Sequence, residues 1–160
     1  MIKEKRGQAA MEFLMTYGWA ILAAVIVIAV LASFGVFSPS TYVPNKCVLN
    51  APLGCNAGTA DTAGVSLEVR NGAGESITLQ NLVVEGCTDT TIDYTDSTGS
   101  GTFTPGTDTY NMPDQELTTF DLGCTLTPGD KFQGDITVTY RKIGSSLDLT
   151  STGEITDSVE

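Results

Sequence analysis

The chain has 160 residues, which suits one globular domain with an appendage, and its 19 acidic and 8 basic residues give a net charge of −11. Such an acidic surface repels nucleic acid and anionic lipid headgroups, so we expect no nucleic-acid partner. The absence of histidine removes the usual Ser–His and Cys–His nucleophiles, and we expect neither enzymatic activity nor a cofactor.

The N-terminal segment differs from the rest of the chain in charge and hydropathy. Residues 13–37 carry no charge, and the seven residues that open the chain include Lys3, Lys5 and Arg6. A helix over these 25 apolar residues reaches roughly 37 Å, enough to cross a bilayer, before Pro39 stops it. Because the basic residues come first, we expect the head of the chain to stay cytoplasmic and the acidic remainder to lie outside.

A single carboxylate, Glu12, stands at the start of the apolar run. An acid inside a membrane costs about 2.5–3.5 kcal/mol at the middle of a helix and less near an end. At headgroup level Glu12 would also complement the positive end of the helix dipole. These effects explain why the charge is tolerated, but they do not explain the residues around it.

Those residues, 5–13, read KRGQAAMEF. This string resembles the class III signal peptide of archaeal type IV pilin-like proteins, in which a membrane peptidase cuts just before a Gln and leaves the apolar helix on the mature protein. The bond implied here joins Gly7 to Gln8, so Glu12 becomes the fifth residue of the mature chain and Phe13 follows it. Ala10 stands where the family often has Ser. The residues implied for peptidase recognition and cleavage are Lys5, Arg6, Gly7 and Gln8.

The resemblance covers residues 1 to about 37, and it implies a pilin that polymerises with copies of itself through the apolar helix. Glu12 and Phe13 are the residues implied in assembly. The implied partners are the prepilin-type signal peptidase, the membrane before assembly, and other copies of the chain. The location implied is a membrane-held precursor followed by an extracellular, cell-surface filament with an adhesive or structural role.

Two other interpretations of the N-terminus remain open. The first is an ordinary signal peptide, which would be cut here after Ala32. The apolar region of such a peptide has only about 7–15 residues, and the apolar run of this chain is longer. An uncleaved anchor would make the chain a single-pass membrane protein with an exported binding module or adhesin.

Four cysteines in a small exported domain suggest two disulfides, with three possible pairings. We favour Cys47–Cys55, which closes a short loop containing Pro and Gly, together with Cys87–Cys124. The cysteines show no C-x-x-C spacing, so we expect no metal site.

Apolar residues alternate with polar ones from Gly64 onward, which indicates β-strands. Residues 65–70 and 76–84 flank a turn signal at 71–74 and predict a hairpin. Further strands are predicted at 91–95, 117–122, 131–142 and 147–155, with a loop at 96–101 and a turn at 128–130. Six or seven short strands favour an antiparallel sandwich.

The predicted fold class is therefore α+β, a long apolar N-terminal helix followed by an Ig-like antiparallel β-sandwich. The predicted organisation is a cleaved leader at 1–7, a transmembrane or filament-core helix at 8–37, a linker at 38–63, and a sandwich head at 64–160.

Overall fold

A computed structural model describes residues 4–34 and 44–160, except for the side chains of residues 4–6, 8 and 9. The chain divides into two compact units, Met1–Tyr42 and Val43–Glu160. The first unit contains a helix and the second a β-structure, so the predicted α+β fold class is confirmed.

Helix α1 is a continuous element, Glu4–Ser33. Its sequence is rich in Ala, Leu and Ile and contains no proline, so nothing interrupts the backbone hydrogen bonds. The helix begins inside the segment that the sequence predicts as a cleaved leader, because residues 4–7 continue the same backbone hydrogen-bonding pattern. The last residues of the predicted helix, 35–37, lie outside the described part of the chain.

Within residues 44–160 the chain forms ten strands, rather than the six or seven predicted. They are β1 (Lys46–Leu49), β2 (Leu53–Ala60), β3 (Gly64–Asn71), β4 (Ile77–Val84), β5 (Ile92–Asp96), β6 (Gly99–Phe103), β7 (Tyr110–Met112), β8 (Leu117–Gly123), β9 (Lys131–Lys142) and β10 (Leu149–Ser158).

The strands form two antiparallel sheets of five. Sheet A has the order β1-β10-β9-β4-β7, and sheet B has the order β2-β3-β8-β5-β6. Alternate side chains of β3, β8 and β9 are buried in one common core, as the period-two pattern predicts. Leu79 and Ile136 of sheet A and Leu67 and Phe120 of sheet B are all fully buried, so the core lies between the sheets.

The hairpin predicted from residues 65–70 and 76–84 is wrong. Strand β3 pairs on both sides within sheet B, with β2 and β8, and therefore has no free edge for β4. Strand β4 pairs instead with β7 and β9 in sheet A. The segment predicted as a turn, residues 71–74, does connect β3 to β4, but it carries the chain from sheet B to sheet A.

Asn71 fixes this crossover. Its side chain is fully buried, and Nδ2 lies within hydrogen-bonding distance of the carbonyl oxygens of Glu75 (2.9 Å), Met112 (3.1 Å) and Pro113 (2.9 Å). Its Oδ1 accepts a hydrogen bond from the amide of Ala73 at 3.0 Å. A buried amide satisfied in this way holds the turn against the end of β7, which a two-strand hairpin would not provide.

The predicted linker, 38–63, also needs correction, because it contains β1 and β2. The folded domain therefore starts before Gly64. Strand β1 has only four residues, and β2 reads LGCNAGTA, which lacks the apolar alternation that reveals a strand. Similarly, β6 (GSGTF) begins inside the predicted loop at 96–101.

The structure contains both favoured disulfides, Cys47–Cys55 and Cys87–Cys124. Each of them connects the two sheets. Cys47 lies on β1 and Cys55 on β2, at the lateral edge where each sheet has its first strand. Cys87 follows β4 of sheet A, and Cys124 follows β8 of sheet B. The sandwich is therefore linked covalently at an edge and nearer its middle.

Removing the disulfides one at a time should destabilise the head unequally. In the chain-entropy model, closing the 37-residue separation contributes roughly 3–4 kcal/mol and closing the 8-residue separation about 2.5 kcal/mol. We expect Cys87→Ala/Cys124→Ala to lose more free energy of unfolding than Cys47→Ala/Cys55→Ala. Urea unfolding of the full chain in detergent, followed by near-ultraviolet circular dichroism, measures both losses. The reverse order would contradict this account.

Candidate functional site: the apolar N-terminal helix

The surface of α1 is apolar on every side. Successive residues of a helix turn by about 100°, and the large exposed side chains of this helix fall at almost every angle around its axis. They are Met11, Phe13, Leu14, Met15, Tyr17, Trp19, Ile21, Leu22, Val25, Ile26, Val27, Ile28, Val30 and Leu31. A helix that packs on a globular core has one apolar stripe, so this helix needs an apolar environment all round.

The length of the apolar part suits a membrane. Ala10–Ser33 is long and apolar enough to span a bilayer, because its 24 residues extend roughly 36 Å at about 1.5 Å each. A membrane anchor, a signal sequence and a helix of a bundle can all have this length and composition. The disulfides of the second unit favour an extracellular location for that unit.

Glu12 is the one acidic residue within this apolar stretch, and it lies one turn before Thr16. The Thr16 hydroxyl donates a hydrogen bond to the Glu12 main-chain carbonyl at 2.8 Å, which leaves the Glu12 carboxylate uninvolved. None of the described side chains forms an ion pair with that carboxylate. Its charge therefore needs a partner if apolar groups surround it.

Aromatic residues cluster in the same part of the helix as Glu12. The rings of Phe13 and Tyr17 lie one turn apart with centroids 4.9 Å from each other, and Trp19 is 73% exposed. Tyr and Trp are enriched at membrane interfaces, where one end of the side chain is apolar and the other is wet. This arrangement matches a helix whose N-terminal part lies at headgroup level.

The bond predicted to be cut, between Gly7 and Gln8, lies within the first turns of α1. A Cβ atom added at Gly7 would contact nothing within 4 Å, so the glycine is not required by packing within this chain. The side chains of Lys5, Arg6 and Gln8 lie outside the described part of the structure. A peptidase would need to unwind only an end of the helix, where opening costs least.

The second unit carries an acidic cavity of about 280 Å³ on the outer face of sheet B, around Asp61, Asp89, Asp93 and Asp121. Most of these carboxylates already accept internal hydrogen bonds. Asp89 accepts one from the amide of Gly123 at 2.7 Å, which lowers the pKa of its carboxyl group. Asp61 and Asp121 are similarly engaged. Within the described residues no cluster of His, Cys, Asp or Glu has the arrangement of a metal site.

A polar contact that sequence reasoning missed joins Asp96 to Tyr110. The Tyr110 hydroxyl donates to Asp96 Oδ2 at 2.6 Å and lies 3.1 Å from Thr118 Oγ1. The other oxygen of Asp96 accepts from the amide of Thr98 at 2.8 Å. The Tyr110 hydrogen bond and then those from Thr98 lower the pKa of Asp96 to about 2. Burial raises the pKa of Tyr110. This contact stabilises the turn between β5 and β6.

No protein-family model and no curated protein matches this chain.

The Asp96–Tyr110 contact makes a pH-dependent contribution to the stability of the head. Because the folded-state pKa of Asp96 lies below the ordinary value of 3.8, the contribution is complete above that value and disappears as pH falls toward about 2. In Tyr110→Phe we expect the Asp96 pKa to rise toward 3.8, measured by carboxyl-carbon NMR titration of the full chain in micelles.

Tyr94→Phe is the matched control for this titration. The Tyr94 ring packs on Tyr110 with centroids 4.5 Å apart, yet its hydroxyl makes no hydrogen bond within residues 44–160. The control should leave the Asp96 pKa low. An unchanged Asp96 pKa in Tyr110→Phe would mean that the backbone amides of the turn hold it low without the tyrosine.

Proposed function

We propose that this chain is the precursor of a pilin, the structural subunit of an extracellular type IV pilus-like filament, and that it polymerises through α1. The observation that carries the proposal is the apolar surface on all sides of the helix together with an acid near its start. The KRGQAAMEF string supports it, because it resembles the processing signal of pilin-like proteins.

The apolar surface supplies the driving force for assembly. In the membrane, lipid covers the helix on every side. On extraction, each square ångström of exposed apolar surface would cost about 25 cal/mol, and packing helices from many subunits removes that exposure. A contact that repeats from copy to copy without closing on itself gives a helical filament. The heads then face solvent with their acidic surfaces.

Glu12 supplies a check on correct assembly. Once the chain is cut before Gln8, the new terminal amine lies four residues from Glu12. Among packed apolar helices an unpaired carboxylate is costly, and the amine of a neighbouring copy can neutralise it. If Gln8 cyclises and loses its amine, backbone N–H groups become the partners of Glu12 instead.

A second function is a single-pass membrane anchor with an exported binding module or adhesin. The same helix supports it, because a predominantly apolar stretch of 24 residues is long enough for an anchor. N-terminal mass spectrometry of exported protein separates the two functions. A chain that begins at Gln8 supports the filament subunit, and a chain that begins at Met1 supports the anchor.

Replacing Gly7 tests the processing step. We expect Gly7→Leu to leave a full-length, membrane-held precursor, because the added side chain meets nothing in this chain and so acts at the peptidase. Gly18→Leu is a matched control, since a Cβ at Gly18 also meets nothing, and it should be cut normally. Intact-mass analysis of membrane fractions checks both. Normal cleavage of Gly7→Leu would argue against this processing signal.

Replacing Glu12 tests the assembly step. We expect Glu12→Ala to insert, be cut before Gln8 and fold its head, yet give few or no filaments in electron micrographs of sheared material. Losing one partner of a buried pair typically costs about 3–5 kcal/mol, enough to prevent assembly. Thr16→Ala, one turn away, is the control and should assemble. Abundant filaments from processed Glu12→Ala would show that assembly does not need Glu12, which would then be only an acid tolerated at headgroup level.

A further inference from the structure

One asparagine of this chain is followed by glycine, in the pair formed by Asn71 and Gly72. An asparagine in this context can lose its amide, because the main-chain nitrogen of the next residue attacks the carbonyl carbon of its side chain. Glycine allows this attack most readily, since it has no Cβ to obstruct the ring that forms. Asn71 is therefore the asparagine that we expect to deamidate fastest when the backbone is free to move.

The reaction releases ammonia and consumes water. The nitrogen of Gly72 forms a bond to Cγ of Asn71 while the bond from Cγ to Nδ2 breaks. The proton of the Gly72 amide leaves with the departing nitrogen as part of ammonia, and a succinimide ring remains. Water then adds to either carbonyl carbon of the ring and opens it. One opening gives aspartate, and the other gives isoaspartate, in which the main chain runs through the former side-chain carbon.

The folded head fixes the main chain on both sides of the bond that would react. The amide of Gly72 donates a hydrogen bond to the carbonyl oxygen of Pro52 at 3.1 Å, which holds the attacking nitrogen in place. The amide of Asn71 donates to the carbonyl of Glu116 at 3.0 Å, and the carbonyl of Asn71 accepts from the amide of Gln115 at 3.0 Å. The backbone rotation that closes the ring would break these bonds.

The amide group that would leave is held as firmly as the main chain. Nδ2 of Asn71 lies within hydrogen-bonding distance of three carbonyl oxygens, and Oδ1 accepts from the amide of Ala73. The residue is fully buried, so the water that would open the ring has no access to it. Deamidation therefore requires the crossover to open first, and the equilibrium for that opening lowers its rate.

Neither product of the reaction fits the folded crossover. Aspartate would direct a carboxylate oxygen at the carbonyl oxygens of Glu75, Met112 and Pro113, where the amide of Asn71 places its N–H donors. A buried carboxylate oxygen that meets only acceptors is strongly unfavourable. Isoaspartate adds a carbon to the main chain at the end of β3, and so disturbs the register of that strand with β2 and β8.

We propose that Asn71 is a modification site at which a chain that stays unfolded is excluded irreversibly from the native head. Before the crossover forms, Asn71 is free to deamidate. Once the crossover has formed, the reaction is suppressed, and a chain that is already modified does not complete the crossover. The modification thus limits the time in which the head can fold. It applies to a filament subunit and to a membrane anchor alike, so it does not depend on the proposed function.

A comparison of asparagines within one sample tests the protection by the fold. The full-length chain in detergent micelles is incubated at neutral pH, either native or in guanidinium chloride with a reducing agent, and its peptides are analysed by mass spectrometry. Heavy-oxygen water marks the events that occur during the incubation. In the denatured chain we expect Asn71 to be converted faster than every other asparagine.

In the native head the order should be reversed. Conversion of Asn71 should be at least about tenfold slower than in the denatured chain, because the crossover must open first. It should also be slower than conversion of Asn50 and Asn56, which are exposed and precede alanine. Equal rates at Asn71 in the native and denatured chains would overturn the protection, and faster conversion of another asparagine in the denatured chain would overturn the choice of site.

Refolding tests the exclusion of modified chains. The denatured and reduced chain is held for increasing times and then refolded in oxidising buffer with detergent, and the chains that regain both disulfides and resist protease are collected. We expect Asn71 to be unmodified throughout this fraction. Deamidation at Asn50, by contrast, should occur in the same proportion in the refolded and the discarded chains.

Two variants carry the product from the start. Asn71→Asp should not regain the native head, whereas Asn50→Asp should refold, because the Asn50 side chain is exposed and its partner, the Thr152 hydroxyl, can donate to a carboxylate. Modified Asn71 in the refolded fraction at the proportion of the starting material would overturn the proposal. Normal refolding of Asn71→Asp would overturn it as well.

Discussion

Water at the surface of α1 raises the free energy of this chain wherever lipid or protein does not cover the helix. Because large apolar side chains lie all round the axis, no single neighbouring surface can remove that cost. Covering the helix requires either a bilayer or several other helices. Among the described residues, the core of the head is formed by the ten strands and the segments next to them.

The head is held together by contacts between its own strands. Its two sheets share one core, and several links between the sheets add to that core. The disulfides are two of these links, and Asp157 is a third, because its buried carboxylate on β10 accepts a hydrogen bond from the amide of Ala60 on β2 at 2.9 Å. Strand β1, the first to follow the helix, has four residues and gains a covalent connection through Cys47. These links all act within residues 44–160.

The sequence predicted the elements whose hydrophobic pattern is strong. The apolar run predicted α1, and the alternation of Phe132, Ile136, Val138 and Tyr140 predicted β9 with its bounds unchanged. Both disulfides were also predicted. The eight-residue separation favours Cys47–Cys55, and Cys87 and Cys124 are the two cysteines that then remain. Weakly patterned strands were missed, because GSGTF in β6 and LGCNAGTA in β2 offer few apolar side chains.

Pairing between strands was harder to predict than the strands themselves. The turn after β3 has the composition of a hairpin turn, but its outcome depends on Asn71, whose partners Met112 and Pro113 lie about forty residues away. A local pattern cannot reveal such distant hydrogen bonds. The Asp96–Tyr110 contact escaped prediction for the same reason. At the N-terminus, by contrast, the candidate functional residues are adjacent in sequence, so the string itself could suggest a role.

A helix that is apolar on all sides provides a large driving force for association but little geometric selectivity. Equivalent aliphatic surfaces can pack at many rotations and many heights along the axis. In the proposed filament, selectivity has to come from the few features that are not uniform. Glu12 is one of them, because a charge at a single height along the helix restricts the axial position of a neighbour. It does not restrict rotation about the axis as strongly, and that restriction falls to the heads. On this account the helix supplies the free energy of assembly, and Glu12 and the head surfaces determine its geometry.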